Sequence, residues 1–295
     1  MNLFFSLKEK WNLFWFENGS TRALCLLRIA FGITLLMKLT NLYGLSRFPN
    51  YNIQIPKRVF KTASSYYLTG FHLPVDGFDW LPVLSFNQWQ GLELAILLLC
   101  FFFILGLGTR WVGPLLALSY LYTFLISQFL YHHHIFLFCI VLLVLAFSSC
   151  ADHYSIDAWI RALSKRPLLP SQPVMPLRMI QCLVSFIYLM TALSKTEPSW
   201  LNGQFIDYLQ IVGRINGNFA PFLIPYLPPA LLGFFTVLAE YFLAFALWVP
   251  ILRPWGFLVG IALHVGIDLL MPVSTYGVQM LALYLAFVEK RERRA

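Results

Sequence analysis

The amino-acid sequence predicts an all-α integral membrane protein, and three observations support that fold class. Of its 295 residues, 59% are hydrophobic and only 12% are charged, whereas a soluble domain carries about 25% charged residues. Its apolar residues form stretches long enough to cross a bilayer as helices. Trp, Tyr and Phe residues stand where these stretches meet the connecting segments, as aromatic belts do at membrane interfaces.

The apolar stretches predict about eight transmembrane helices packed as a bundle, because a spanning helix needs about 20 mostly apolar residues. The predicted spans are 23–44, 91–108, 111–130, 134–151, 176–195, 230–250, 255–271 and 276–289. The second and third spans are separated by the short sequence GLGTRW, which predicts a helical hairpin.

The segments outside the spans divide the chain further. Residues 1–20 are predicted to form an amphipathic helix in the membrane interface, and a flexible amphipathic tail is the alternative. The transmembrane domain covers 21–290, and residues 291–295 form a basic cytoplasmic tail. Two long, proline-containing connections, 45–90 and 196–229, are expected to fold over one extracytoplasmic face as capping loops.

The distribution of Lys and Arg predicts that both termini are cytoplasmic, since cytoplasmic segments carry an excess of these residues. In this orientation more basic residues lie inside than outside, although the cluster within 57–61 lies outside. The same orientation places residues 132–134 and Lys195 at the outer face. The net charge of +8 therefore indicates membrane orientation, and we expect no nucleic-acid partner.

The fifth predicted span carries a polar stripe that lipid cannot satisfy. Its polar residues recur at helical spacing and therefore share one face. They are Arg178, Gln181, Ser185, Tyr188 and Lys195. A polar face on a spanning helix must contact protein or a water-filled cavity. We therefore expect the functional site on this face; for Lys195 the alternative is a side chain that extends to the lipid headgroups.

Other spans also contain polar residues. His264 and Asp268 are four residues apart and share a helix face, where they form either part of a site or a structural hydrogen-bonded pair. Arg28 and Glu240 are interpreted as contacts between helices. The run His132–His134 forms either part of the site or a wet interfacial loop. Adjacent residues on a helix point in different directions, so this run does not predict a metal site.

Several of these motifs resemble the HTTM (horizontally transferred transmembrane) family, which includes the membrane domain of vitamin K-dependent gamma-carboxylase. The segment PLRMIQCLVSFIYLMTALSKTEPSWLNG is similar to the family hallmark in the order of its key residues. These are Arg178, Gln181, Tyr188, Lys195, Trp200 and Gly203. The segment HHHIFLFCIVLLVLAFSSCADHYSIDA also resembles the family, with His134 and Asp157 at the family His and Asp. Arg28, Glu240 and His264 also follow the family order.

The resemblance implies a base-catalysed reaction at the outer face of the membrane. In the carboxylase, the lysine that corresponds to Lys195 deprotonates reduced vitamin K, and the pair corresponding to His133 and His134 assists it. A neutral amine suits this role, because an apolar pocket disfavours the charged form of lysine. The implied cofactor is reduced vitamin K or menaquinol, and no metal is expected. His264, Asp268 and Glu240 would line or brace the cavity.

The sequence also departs from the carboxylase. The carboxylase continues into a large lumenal domain, whereas this sequence ends at KRERRA after the last predicted span, and His133 replaces the family Asn. Proton chemistry on a quinol-like or peptide substrate is therefore expected in preference to glutamate carboxylation. Stand-alone HTTM proteins of the bacterial inner membrane imply an alternative: a non-catalytic factor for maturation or export of a secreted peptide or toxin.

Overall fold

A computed structural model describes residues 2–39, 75–82, 84–126, 133–164, 172–271, 273 and 275–288. The described residues are predominantly α-helical, with one short two-stranded ribbon. The chain divides into two compact units, Met1–Arg178 and Met179–Ala295. Each unit is described separately below.

The first unit contains six α-helices and two short strands among its described residues. They are α1 (Asn2–Phe16), β1 (Asn18–Gly19), α2 (Arg22–Leu39), α3 (Phe86–Leu105), α4 (Thr109–Leu125), α5 (His133–Ala146), α6 (Ile156–Leu163) and β2 (Gln172–Pro173). Helix α2 packs against α3 and α5, and α4 packs against α3 and α5. Apolar side chains such as Phe31, Phe103 and Phe138 fill the interior between these helices.

The predicted hairpin between the second and third spans is present. Gly106 ends α3 in the left-handed conformation, with a φ of 70°, which a residue without a Cβ adopts without strain. The backbone N–H of Gly108, at the start of α4, donates to Oδ2 of Asp157 at 2.9 Å. The Ser155 hydroxyl accepts from Ala158 N and caps α6. Asp157 therefore joins the α3–α4 turn to the start of α6.

The N-terminal helix α1 contacts the first residues of α7 (Met175–Ser194), the helix that follows β2. Strands β1 and β2 pair antiparallel. Arg178 contacts Glu17 at 3.5 Å, and its Nε donates to Phe14 O at 3.3 Å. The guanidinium also lies 5.1 Å from the centre of the Phe14 ring. A helix is thus present where the interfacial helix was predicted, and its placement in the interface stays a prediction.

The second unit consists of α7 from Met179 onwards and the elements that follow it. They are α8 (Pro198–Leu201), α9 (Gln204–Ile211), α10 (Ala220–Leu223), a 3₁₀ turn (Ile224–Tyr226), α11 (Pro229–Ala246), α12 (Arg253–Leu270), α13 (Tyr276–Leu283) and a second 3₁₀ turn (Tyr284–Phe287). Helix α12 packs against α11 and α13, and α8 and α9 pack against α11. The predicted connection 196–229 is therefore mostly short helices.

The helices match the predicted spans in position, but the number of eight transmembrane helices is not confirmed. Within the described residues, three helices are long and apolar enough to cross a membrane: Met175–Ser194, Pro229–Ala246 and Arg253–Leu270. Gly91–Leu105, Phe136–Ala146 and Tyr276–Phe287 are apolar but shorter. Helix boundaries also differ: α3 begins at Phe86, within the predicted loop, because Ser85 and Gln88 form a capping box there.

Candidate functional site

Lys195 and Glu240 form an ion pair inside the second unit. Lys195 Nζ donates a hydrogen bond to Glu240 Oε1. The Glu240 side chain is 6% exposed and the Lys195 side chain 20% exposed, so the carboxylate is the deeper partner. A buried carboxylate is strongly disfavoured without a compensating partner, and Lys195 supplies the charge that Glu240 requires.

Local sequence explains why Lys195 is at this position. It follows the last residue of α7, and its backbone N–H still donates to Thr191 O at 3.1 Å. Pro198 then begins the short helix α8, which carries Trp200. The Trp200 ring centre lies 5.2 Å from Lys195 Nζ, within the range of a cation–π contact, and Trp200 stacks on Phe205. An anion and an aromatic ring thus contact the same ammonium group.

A second polar cluster contains Tyr188, His264 and Tyr284. The Tyr188 hydroxyl lies 2.6 Å from His264 Nε2 and 2.6 Å from the Tyr284 hydroxyl. All three side chains are buried. Gly260 is required for this arrangement, because a Cβ at that position would be 1.8 Å from the Tyr284 hydroxyl oxygen. The cluster links α7, α12 and the 3₁₀ turn after α13.

The remaining polar residues of the α7 stripe also contact protein within this unit. Gln181 Nε2 donates to Ala286 O at 2.6 Å, and Trp248 Nε1 donates to Ser185 Oγ at 2.6 Å. Between Tyr188 and Lys195, Ala192 is fully buried, whereas Phe186 and Met190 are exposed on another face. From Gln181 to Lys195 the stripe therefore contacts other helices, as a polar face on a spanning helix must.

Two buried polar atoms in these clusters have no hydrogen-bond partner among the described residues. They are Glu240 Oε2 and His264 Nδ1. Because buried polar groups in native proteins are nearly always satisfied, these two atoms are candidates to bind water or a ligand hydroxyl.

Arg28 and Arg178 lie in the first unit. Arg28 is completely buried and donates to four backbone carbonyl oxygens, those of Phe103, Ile104, Cys150 and Tyr154. Its contacts are thus structural. Arg178 lies at the start of the polar stripe, and its contacts described above are with the N-terminal segment, so it binds α1.

For the predicted histidines the structure describes the backbone at most. His133 and His134 begin α5, but their side chains lie outside the described structure. His132 lies outside the described residues altogether. Asp268 lies one turn after His264 and is only partly buried, and its carboxylate packs against Gly277 at the start of α13. Among the described residues, no group of three or more His, Cys, Asp or Glu side chains could hold a metal ion.

Two residues that contact the polar stripe of α7 were not predicted from the sequence. Tyr284 completes the Tyr188 cluster, and Trp248 contacts Ser185. Tyr284 lies in the apolar final predicted span, 276–289. A buried tyrosine usually requires a hydrogen-bond partner, and this signal could have identified Tyr284 as a candidate. Trp248 stands at the end of α11, where an interfacial aromatic residue is equally expected.

Comparison with protein-family models finds the HTTM domain over residues 16–291. The chain belongs to the HTTM family. This confirms the family predicted from the sequence, and the HTTM match includes both polar clusters. Together with its apolar helices, HTTM membership indicates an integral membrane protein. No curated protein and no solved structure matched the chain.

Proposed function

We propose that this HTTM protein is an integral membrane enzyme that uses Lys195 as a base on a quinol-like or peptide substrate at the outer face of the membrane. The HTTM domain is the membrane domain of the vitamin K-dependent gamma-carboxylase family. The observation that carries the proposal is the Lys195–Glu240 pair, in which a mostly buried amine contacts a buried carboxylate beside an aromatic ring.

The surroundings of Lys195 suit a small aromatic molecule that carries hydroxyl groups. Trp200 offers a ring face, and Glu240 Oε2 is an acceptor without a partner among the described residues. Reduced vitamin K or menaquinol would supply an acidic hydroxyl on an apolar ring system. Lys195 would take the hydroxyl proton, Trp200 would orient the ring, and the apolar helices would exclude water from the amine.

His133 and His134 complete the proposal as residues that orient the substrate or relay a proton. The resemblance of this segment to the HTTM family, with His134 at the family His, supports this role. We further propose that the protein lies in the bacterial inner membrane with both termini in the cytoplasm. Lys195 would then meet a lipid-soluble substrate that enters from the outer leaflet.

The test uses the full-length protein in lipid nanodiscs, with menaquinol and reduced vitamin K as separate probes. Deprotonation accelerates the oxidation of a quinol by air, so the rate of quinol loss above that of empty nanodiscs measures base activity. We expect the wild type to accelerate this loss and Lys195→Ala to show the empty-nanodisc rate. Lys8→Ala, at an exposed lysine of α1, is the matched control and should retain the wild-type rate.

If Lys195→Ala accelerates quinol loss as the wild type does, Lys195 is not the base. If the wild type accelerates the loss of neither menaquinol nor reduced vitamin K, the hypothesis of a quinol substrate is wrong. A peptide substrate or the non-catalytic alternative, a membrane factor for peptide or toxin maturation, would then be preferred.

A further inference from the structure

The two partners of the Lys195–Glu240 pair are buried to different extents. The carboxylate of Glu240, near the middle of α11, is almost completely enclosed, whereas Lys195, at the end of α7, keeps one fifth of its side chain accessible. The Lys195 side chain is therefore the more accessible member of the pair. Glu240 Oε1 is bound to Nζ, and Oε2 has no partner among the described residues.

This arrangement conflicts with Lys195 acting as an isolated base. A carboxylate in contact with an amine stabilises the ammonium form, which has no lone pair to accept a proton. Lys195 can act as a base only if it first gives up a proton, and Glu240 Oε1 is the acceptor in contact with it. In a buried pair of this kind, the proton belongs to the pair and not to either residue alone.

We propose that Glu240 is the proton-accepting partner of Lys195, so that the substrate proton finally resides on the Glu240–Lys195 pair with Glu240 neutral. The inference rests on the proposed function of Lys195 and extends it to a second residue. A purely structural ion pair would hold the two helices together without any transfer of a proton to Glu240. The structural role and the acceptor role predict different outcomes in the measurements.

The transfer balances in charge and in protons. In the resting pair Lys195 is an ammonium and Glu240 a carboxylate. An N–H bond of Lys195 breaks and an O–H bond forms on Glu240 Oε1, which leaves a neutral amine and a neutral acid. The substrate O–H bond then breaks, its electron pair stays on the substrate oxygen, and the proton joins Lys195 Nζ. The final state holds an ammonium, a neutral Glu240 and a substrate anion.

The first measurement does not depend on any activity. Acetic anhydride acetylates neutral amines and not ammonium groups, and peptide mass spectrometry measures the reaction at Lys195 by itself. Glu240→Gln removes the opposite charge but keeps the size of the side chain. We expect Lys195 to be acetylated about ten-fold faster or more in this variant, as expected when an adjacent opposite charge is removed. Glu93→Gln, a carboxylate-to-amide change in α3 of the other unit, should leave the Lys195 rate unchanged.

The second measurement is quinol loss in nanodiscs. Without Glu240 as acceptor, Lys195 is a base only in molecules whose amine is already neutral, and that fraction falls about ten-fold for each unit of decreasing pH. We therefore expect the rate above background to fall steeply from about pH 8 to about pH 6 in Glu240→Gln, whereas the wild type keeps most of its rate. Glu240→Asp restores a carboxylate and should recover part of the rate at the lower pH. If Glu240 were only structural, the wild type and both variants would lose rate with falling pH in the same way, once the rate is divided by the amount of folded protein from gel filtration in detergent.

An unchanged acetylation rate in folded Glu240→Gln would overturn the pairing, and the same fall of quinol loss with pH in the wild type and in Glu240→Gln would overturn the role of Glu240 as acceptor. If Glu240→Gln does not fold, the wild type decides: a rate of quinol loss that falls about ten-fold for each pH unit below about pH 8 would contradict the proposal. Wild-type quinol loss in Lys195→Ala would refute the proposed function itself, and the proton transfer with it.

Discussion

The Tyr188 hydroxyl lies 2.6 Å from His264 Nε2, and this hydrogen bond joins α7 to α12. The same hydroxyl contacts Tyr284 at 2.6 Å, so a single oxygen atom connects three segments of the second unit. A shared buried hydroxyl specifies the rotation of each helix, because the partners are satisfied only in one arrangement.

Tyr188→Phe is expected to destabilise the protein without preventing insertion. The change removes the oxygen and leaves His264 Nε2 and the Tyr284 hydroxyl without that partner in a buried site. A buried polar group that loses its partner costs about 1–3 kcal/mol. Thermal unfolding in detergent should show a lower midpoint for Tyr188→Phe than for Tyr208→Phe, at an exposed tyrosine of α9. Equal midpoints for the two variants would mean that the Tyr188 cluster does not stabilise the fold.

Leucine substitutions along α7 should distinguish its two faces. Gln181→Leu removes the donor to Ala286 O, and we expect a cost of about 1–3 kcal/mol from the unpaired carbonyl oxygen. Met190→Leu, on an exposed part of the same helix, conserves volume and should change stability by less than about 0.5 kcal/mol. The midpoint of thermal unfolding measures both. Equal tolerance of Leu at the two positions would show that the polar stripe has no packing role.

Arg28 is expected to be essential for folding of the first unit. Arg28→Met removes the donor to four carbonyl oxygens, of which Phe103 O still accepts from the Gly106 N–H. Each buried group left unpaired costs about 1–3 kcal/mol, so little folded protein should be recovered. Arg28→Lys should also be destabilised, because an ammonium group cannot reproduce the geometry of the guanidinium. Arg22→Lys, at an exposed position of the same helix, is the control. Recovery of Arg28→Met at control levels in gel filtration would contradict this role.

Lys195→Arg separates base chemistry from charge. A guanidinium retains its proton, so it can pair with Glu240 but cannot act as a base. We expect folded protein and quinol loss at the empty-nanodisc rate. Wild-type quinol loss in this variant would show that the site requires a positive charge and not a base.

The proposed orientation can be tested by cysteine labelling in intact cells. Ser199 and Ser164 are predicted to lie on opposite sides of the membrane, with Ser199 outside. A membrane-impermeant maleimide should therefore label Ser199→Cys and not Ser164→Cys. The native Cys25, Cys100, Cys139 and Cys150 are buried and Cys182 is partly exposed, so both variants are made in a Cys182→Ser background. The reverse pattern would invert the orientation.

The sequence alone determined the all-helical class, the positions of the apolar helices and the polar face of α7. These features follow from local periodicity, because residues three or four apart on a helix necessarily share a face. The family was also predictable, since it depends on residue order around Lys195 and Trp200. Helix ends were less predictable, because they depend on local caps such as Ser85 and on where neighbouring helices pack.

Only the tertiary structure decided which polar residues are partners. Glu240 lies 45 positions from Lys195, and Tyr284 lies 96 positions from Tyr188. No periodicity along the chain relates such residues, because their distance depends on how the helices rotate and pack against one another. For the same reason Arg28, a charged residue in an apolar helix, could be recognised as structural only when its four carbonyl acceptors were brought around it.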